Sequence, residues 1–168
     1  MLNISKKLVV GLFVIVSSVS ISFGQKFSPK TYIDEHKEVA QQLMNETGVP
    51  ASVILAVAIH ESAYGNSRIA KYLNNHFGIK GKNNSKQIKS AYKGYSNVLE
   101  SYRDFVGLLQ RRKSTQPLFT RTNNSDFDTW IKGIARSGYS QSSDWSRKVT
   151  ATIERYDLDQ YDQHSGIN

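Results

Sequence analysis

The chain has 168 residues, which suits a single domain with a core of useful size. It contains no cysteine, which excludes a disulfide framework and thiolate metal sites, and its four scattered histidines offer no ligand pair for zinc. The formal net charge of +8 predicts attraction to a polyanion such as nucleic acid, anionic lipid or an acidic wall polymer.

The N-terminus has the pattern of a secretory signal. Lys6 and Lys7 precede an apolar run from Leu8 to Phe23, and Ser22 and Gly24 supply small residues just before the predicted cleavage point after Gly24. The alternative is an uncleaved anchor, although the run is slightly short for a bilayer span of ~20 apolar residues. We therefore expect a signal peptide at 1–24, a domain at 25–162 and a frayed tail at 163–168. The mature protein would lie in the periplasm, in the cell envelope or outside the cell.

Helical patterns dominate the rest of the chain. Apolar residues recur at helical spacing between capping residues at most of the predicted helix starts. The predicted helices begin in turn at Ser28-Pro29 (ending at Gly48), at Pro50 or Ser52, at Ser67 (ending at Leu73), at Asn97, at a cap on Asn124 or Ser125 (ending at Gly138), and at about Asp144 (ending at Tyr156).

The segment 78–96 has a different character, with several glycines and asparagines and five lysines. It predicts a short β-hairpin or an irregular lobe between the third and fourth helices. The fold class that follows is mainly α (α+β), a helical body with one small lobe. A groove between the two would suit an extended polymer.

Glu61 is the most informative residue, because it follows the almost continuously apolar stretch Val53–Ile59. An acid at the end of a buried helix is costly to ionise, so desolvation raises its pKa and favours a general acid. The alternative is a capping or ion-paired glutamate, which is common at helix ends.

Several segments, in order from about residue 30 to 162, resemble the motifs of family 73 glycoside hydrolases, the peptidoglycan N-acetylglucosaminidases. They are Ile54–Ser67 around Glu61, Asn74–Gly81, Tyr92–Tyr95, Glu100–Phe105, Trp130–Gly133 and Ser137–Ser140. The resemblance implies a lysozyme-like fold and cleavage of the β-1,4 bond after N-acetylglucosamine in peptidoglycan.

The resemblance also implies roles for single residues. It makes Glu61 the general acid and places Tyr139 in the active site, where the tyrosine orients or stabilises the reacting sugar. It gives Asn75, Phe77 and Gly78 the floor of the groove. Tyr64, one turn from Glu61, is a further candidate for substrate contact. Tyr92 and Tyr95 could line sugar subsites because aromatic faces stack on sugar rings, although both could equally hold the lobe onto the body. No metal and no cofactor are expected.

The sequence departs from the family pattern in the lobe. Many members carry a second acid there, whereas no Asp or Glu lies between Gly78 and Leu99. Three routes remain open: attack by the substrate's own acetamido group, attack by a water held by Tyr139, or a second acid such as Glu100 or Asp144. We favour the acetamido route, and we read Glu100 as structural.

Two other functional classes remain open. One is a muramidase or lytic transglycosylase on the same fold, and the other is a peptidoglycan-binding or scaffold protein that has lost catalysis. A nucleic-acid-binding module is disfavoured by the export signal. The expected partner is the peptidoglycan glycan strand, without a stable membrane span after signal cleavage, and we expect a monomer.

Overall fold

The computed structural model describes residues 27–120 and 126–163, so the predicted signal peptide and the tail from residue 164 lie outside the described residues. The helices are α1 Pro29–Thr47, α2 Ala51–Ser62, α3 Arg68–Leu73, α4 Val98–Arg111, α5 Gln116–Phe119, α6 Phe127–Arg136, α7 Trp145–Arg155 and a final 3₁₀ helix Leu158–Asp162. The predicted mainly helical fold is confirmed. Within these ranges, no helix has the length and apolarity that a bilayer crossing requires.

Helix α2 forms the centre of the body. Every residue from Ala51 to Ile59 is buried, and the helix packs against α1, α6, α7 and the 3₁₀ helix. A fully buried Val, Leu or Ile side chain contributes ~1.5–3 kcal/mol, so this helix supplies a large part of the hydrophobic stabilisation. Its burial on all sides fixes the position of the residues at its C-terminal end.

A distant residue caps the start of α2. Pro50 offers no side-chain hydrogen bond at the N-cap. Instead, the Asp162 carboxylate accepts hydrogen bonds from the Ser52 backbone N–H at 2.7 Å and from the Ser52 hydroxyl at 2.6 Å. The 3₁₀ helix therefore satisfies a backbone donor that would otherwise be buried without a partner.

The local signals for helix ends were correct at most positions. Ser28 forms a capping box with Thr31, Gly48 ends α1 with φ of 82°, and Ser67 and Asn97 cap α3 and α4. The prediction for the start of α6 was wrong, because the N-cap is Asp126; the predicted Asn124 and Ser125 lie outside the described residues. Asp126 accepts a hydrogen bond from the Thr129 N–H, so an equally good capping side chain lay closer to the helix.

The lobe, residues 78–96, is irregular, which was one of the two predicted forms. Its pairing consists of a single antiparallel bridge between Lys80 and Tyr92. Backbone hydrogen bonds from the N–H groups of Gly81, Lys93 and Gly94 cross the lobe, and asparagine side chains add to them. The Asn75 amide donates to the carbonyls of Ile79 and Lys93, and the Asn83 amide donates to those of Ser90 and Tyr92. The lobe is therefore held by one short stretch of backbone pairing together with specific side chains, and not by an extended sheet.

A buried aromatic and histidine cluster joins α1 to the lobe and α4. The Tyr32 hydroxyl shares hydrogen bonds with His76 Nδ1 at 2.6 Å and with the Tyr102 hydroxyl at 3.0 Å. His36 packs against the Tyr32 ring at 4.3 Å, and no described residue hydrogen-bonds its Nε2 atom. Burial lowers the pKa of His36 to about 4 and that of His76 to about 3. Both rings are therefore neutral in the folded protein near neutral pH.

We expect stability to fall as the solution is acidified below pH 6.5. An unfolded histidine binds its proton near pH 6.5, whereas these two bind theirs only near pH 4 and pH 3 in the folded state. Each histidine should therefore lower the free energy of unfolding by about 1.4 kcal/mol for each pH unit of acidification between its unfolded-state pKa and its folded-state pKa. Urea unfolding at pH 7, 5.5 and 4.5 measures this loss. His36→Phe should reduce the slope, while the exposed-site control His60→Gln should leave it unchanged, and equal slopes in both would contradict the assignment.

Candidate active site

Glu61 lies at the last turn of α2, followed by a sharp left-handed turn. Ala63, Tyr64 and Gly65 have φ of 51°, 57° and 74° in succession. The Ser62 hydroxyl stabilises the turn by donating to the Ala58 carbonyl at 2.6 Å and accepting from the Gly65 N–H at 2.7 Å. Two non-glycine residues in the left-handed region are strained, which is common next to functional groups.

The two oxygens of the Glu61 carboxylate have different surroundings. Oε1 accepts a hydrogen bond from the indole N–H of Trp145 at 2.8 Å. Trp145 is the first residue of α7 and is 1% exposed, so this donor is firmly placed. Oε2 faces Gly78, where an added Cβ would lie 3.6 Å away, and no described residue hydrogen-bonds it. One oxygen is therefore fixed and the other is free to exchange a proton with a ligand.

Glu61 opens into a cavity of about 350 Å³ between the body and the lobe. We call it the Glu61 cavity, and its walls combine apolar, aromatic and cationic groups. They are formed by Glu61, Phe77, Gly78, Ile79, Lys80, Leu108, Arg112, Tyr139 and Ser140. The volume is within the ~300–1,000 Å³ range of small-ligand sites.

Tyr139 closes one side of the cavity. Its hydroxyl donates to the Phe77 carbonyl at 2.8 Å, and its ring packs between Phe105 and Trp145 at 5.7 and 5.4 Å. Burial, and then the nearby Glu61 charge, raise the pKa of Tyr139 well above its usual value. The hydroxyl therefore keeps its proton and holds the Phe77–Gly78 backbone next to Glu61.

Arg112 was missed by the sequence reasoning. Its Nη1 atom donates to the carbonyl and the hydroxyl of Ser137 at 3.2 and 3.3 Å. This contact ties the end of α4 to the turn that presents Tyr139. In the sequence, an arginine at the end of an amphipathic helix reads as a solvent-exposed residue, so nothing indicates that it contacts the turn before Tyr139.

Trp145 was also missed as a partner of Glu61. The sequence offers only a weak indication of this contact: a buried tryptophan usually finds a hydrogen-bond acceptor for its N–H. Which acceptor it finds depends on how α7 packs against α2. The sequence alone does not contain that geometry.

The structure brings together four of the seven predicted site residues: Glu61, Tyr139, Phe77 and Gly78. Asn75 is buried and supports the floor from behind through its amide. Tyr64 shares a hydrogen bond with the Tyr156 hydroxyl at 3.1 Å, and it does not line the cavity.

Tyr95 also lies outside the Glu61 cavity. Its hydroxyl donates to Asp104 at 3.0 Å, beside salt bridges from Lys93 and Arg111 to the same carboxylate. Burial pushes the pKa of Asp104 upward, but hydrogen bonds from these three partners outweigh it and lower the pKa. This cluster attaches the lobe to α4, which was the alternative role considered for Tyr95.

No other carboxylate of the described residues lines the Glu61 cavity. Glu100 accepts a hydrogen bond from the Ser96 N–H at the start of α4, and Asp144 pairs with Arg147 at 3.0 Å. Within residues 27–120 and 126–163, no group of three or more His, Cys, Asp or Glu side chains could hold a metal ion.

Comparison with known proteins gives a family match over most of the chain. The glucosaminidase family, described as mannosyl-glycoprotein endo-beta-N-acetylglucosaminidase, matches residues 37–158. The exo-glucosaminidase LytG of Bacillus subtilis is 30% identical over 94% of this chain and 68% of its own length. The peptidoglycan hydrolase FlgJ of Escherichia coli K12 is 26% identical over 75% of this chain, which spans only 46% of FlgJ.

Solved structures show the same fold at lower identity. An N-acetylmuramoyl-L-alanine amidase from Staphylococcus aureus aligns with a TM-score of 0.71 at 21% identity, covering 86% of this chain and 46% of that one. The glycoside hydrolase domain of FlgJ from Salmonella typhimurium aligns with a TM-score of 0.62 at 23% identity, covering 78% and 89%. At these identities the likeness is one of fold.

We expect Trp145→Phe to lower turnover of a glycan substrate while leaving KM little changed. The variant keeps an aromatic ring but leaves Glu61 Oε1 without its donor, and a hydrogen bond to a charged group is worth ~1.5–3 kcal/mol. The expected loss in kcat is roughly tenfold to a hundredfold. The control is Trp130→Phe, which changes a buried tryptophan that packs on Phe119. Equal losses in both variants would show that packing, and not the Glu61 contact, is responsible.

Proposed function

The chain belongs to the glucosaminidase family of glycoside hydrolases, and from this premise we propose that Glu61 is the general acid of its reaction. The reaction we propose is hydrolysis of the β-1,4 bond that follows N-acetylglucosamine in peptidoglycan strands. The observation that carries the assignment is the asymmetric Glu61 carboxylate, with Oε1 held by Trp145 and Oε2 open to the cavity.

The names of the relatives support this substrate. LytG is named an exo-glucosaminidase and FlgJ a peptidoglycan hydrolase. The basic composition fits an anionic envelope polymer, and the N-terminal 24 residues have the pattern of an export signal. We therefore propose that the protein acts outside the cytoplasm.

The first chemical step uses the open oxygen. Protonated Glu61 donates its Oε2 proton to the glycosidic oxygen, and the bond between that oxygen and the anomeric carbon breaks. The leaving sugar departs with a neutral hydroxyl. The hydrogen bond from Trp145 stabilises the carboxylate that remains, and it keeps Oε2 aimed into the cavity.

We infer that the substrate's own acetamido oxygen attacks the anomeric carbon during this step. A two-carboxylate mechanism needs a second acid roughly 5–9.5 Å from the first, and the described cavity wall supplies Glu61 alone. The acetamido oxygen forms a cyclic oxazolinium intermediate. The Glu61 carboxylate then takes a proton from the water that opens it, and the product has N-acetylglucosamine at its reducing end.

Tyr139 and Gly78 shape the space in which this happens. The Tyr139 hydroxyl donates to the Phe77 carbonyl, so its contribution is to hold the floor beside Glu61. Gly78 has φ of 63°, so any other residue there would be strained, and an added Cβ would lie in van der Waals contact with Oε2 at 3.6 Å. We propose that Phe77 contributes mainly through its backbone, because its ring is buried against Phe105 at 4.3 Å.

We expect Glu61→Gln to abolish digestion of purified peptidoglycan. Glutamine keeps the shape of the side chain but cannot donate a proton to the glycosidic oxygen, and general acid catalysis contributes about 10²–10⁴-fold. Mass spectrometry after borohydride reduction identifies the new reducing ends, which should be N-acetylglucosamine. The matched control is Glu100→Gln, which removes an exposed helix-start acid and should leave turnover intact.

Two results would contradict the proposal. Reducing ends of N-acetylmuramic acid would indicate a muramidase, and N-acetylmuramic acid ends closed into an anhydro ring, without a reducing end, would indicate a lytic transglycosylase. If the wild-type protein binds peptidoglycan without cutting it, and Glu61→Gln behaves identically, the chain is a binding protein on an enzyme fold.

We expect the released sugar to keep the β configuration at its anomeric carbon. Attack by the acetamido group and then by water inverts that carbon twice, so the net result is retention. Proton NMR of the product, recorded before mutarotation, distinguishes the anomers. An initial α-anomer would mean single displacement by water and would rule out the acetamido route.

A further inference from the structure

A second groove lies between α3 and the lobe, separate from the Glu61 cavity. Its volume is about 490 Å³, and it shares no lining residue with the Glu61 cavity. Tyr72 and Leu73 of α3 form one wall, and Lys82, Lys86 and Tyr95 contribute to the other. We call it the lobe groove.

The lobe groove is cationic. Its lining includes Lys82 and Lys86 but no acid, and the two lysines have no ion-pair partner among the described residues. Lys93 of the same lobe is different, because it pairs with Asp104 at 2.6 Å. The charge of Lys82 and Lys86 therefore remains available to a ligand.

Tyr72 gives the groove an aromatic surface. Among the described residues, Tyr72 is the one large hydrophobic residue that is exposed, with 48% of its surface accessible to solvent. Its neighbour Leu73 is buried and anchors α3, and the Leu73 carbonyl accepts a hydrogen bond from the Tyr95 N–H at 2.9 Å. An exposed aromatic ring on a fixed helix is suited to stacking on a flat apolar face, such as that of a sugar ring.

The opposite wall is ordered by its own hydrogen bonds. Asn83 holds the loop by donating to the carbonyls of Ser90 and Tyr92 and by accepting from the Ser85 N–H. The Ser85 hydroxyl accepts in turn from the Gln87 N–H at 3.2 Å. A groove whose wall is already ordered loses little conformational entropy when a ligand binds.

The lobe groove and the Glu61 cavity are lined by nearby residues of the lobe. Lys80 lines the cavity and Lys82 lines the groove. Consecutive Cα atoms are ~3.8 Å apart, so these two residues are separated by less than about 8 Å. A polymer cut in the cavity therefore has a second binding surface within the span of a few sugars.

We propose that the lobe groove is a distal peptidoglycan-binding site, a reading that rests on the proposed function. An N-acetylated sugar ring of the strand stacks on Tyr72, and a carboxylate of an attached stem peptide pairs with Lys82 and Lys86. The aromatic wall favours this ligand over a phosphate polymer, which would need cations but no sugar-stacking face.

The test is binding of the full chain to insoluble peptidoglycan in a Glu61→Gln background, so that cleavage does not disturb the measurement. The peptidoglycan is stripped of wall phosphate polymers, and affinity is read from pelleting. Lys82→Gln with Lys86→Gln should weaken binding roughly threefold to tenfold, as expected for two exposed charge pairs. Tyr72→Ala should weaken it to a similar extent. Lys89→Gln removes an exposed charge of the same lobe outside the groove and should have no effect.

A neutral chitin oligosaccharide distinguishes the contribution of Tyr72 from that of Lys82 and Lys86. Tyr72→Ala should weaken binding of this probe, whereas the double lysine variant should not. Equal effects of Lys89→Gln and the double variant on peptidoglycan would overturn the proposal in favour of diffuse charge. Binding that requires retained phosphate polymer, or that no variant changes, would also overturn it.

Cleavage assays keep this inference distinguishable from the proposed function. If the wild-type protein fails to cut peptidoglycan while the groove variants still weaken binding, the proposed catalysis fails and the distal site stands. If cutting depends on Glu61 but no groove variant changes binding, the distal site fails and the catalytic assignment stands.

Discussion

Burial of α2 on all sides is the constraint on which the site depends. Because Ala51–Ile59 is enclosed by four other helical elements, the helix cannot rotate or slide without opening the core. Glu61 lies in the last turn of this helix, two residues after the run, and its side chain lines the cavity. The hydrogen bond from Trp145 also fixes the carboxylate, since Trp145 is itself buried at the start of α7. The position of the Glu61 carboxylate therefore depends on core packing.

The opposite side of the cavity is built by a different principle. The lobe has almost no sheet, and its backbone is positioned by amide side chains, by the Tyr139 hydroxyl and by the Lys93, Tyr95 and Asp104 contacts. Such polar contacts are individually modest, so the lobe depends on several of them acting together, whereas the body depends on buried apolar side chains.

The sequence predicted those features that depend on neighbouring residues. Caps at Ser28, Ser67 and Asn97, the apolar run of α2 and the position of Glu61 at its end all follow from local chemistry. The predicted N-cap of α6 was wrong because several residues that can cap a helix stand in a row before it. The grouping of the aromatic residues could not be predicted, since Tyr64 and Tyr95 pair with Tyr156 and Asp104 through tertiary contacts. Trp145 and Arg112 reach the site from distant parts of the chain for the same reason.

The cap on α2 has a consequence for how an active molecule comes into being. Asp162 satisfies the Ser52 N–H from 110 positions further along the chain. During synthesis, the first turn of the helix that carries Glu61 cannot be completed until almost the whole domain has been made. Contacts of such long sequence separation form late and slow the folding of a domain. A chain interrupted before this residue would emerge with the first turn of α2 uncapped, so a fragment released early would hold Glu61 on an incompletely stabilised helix.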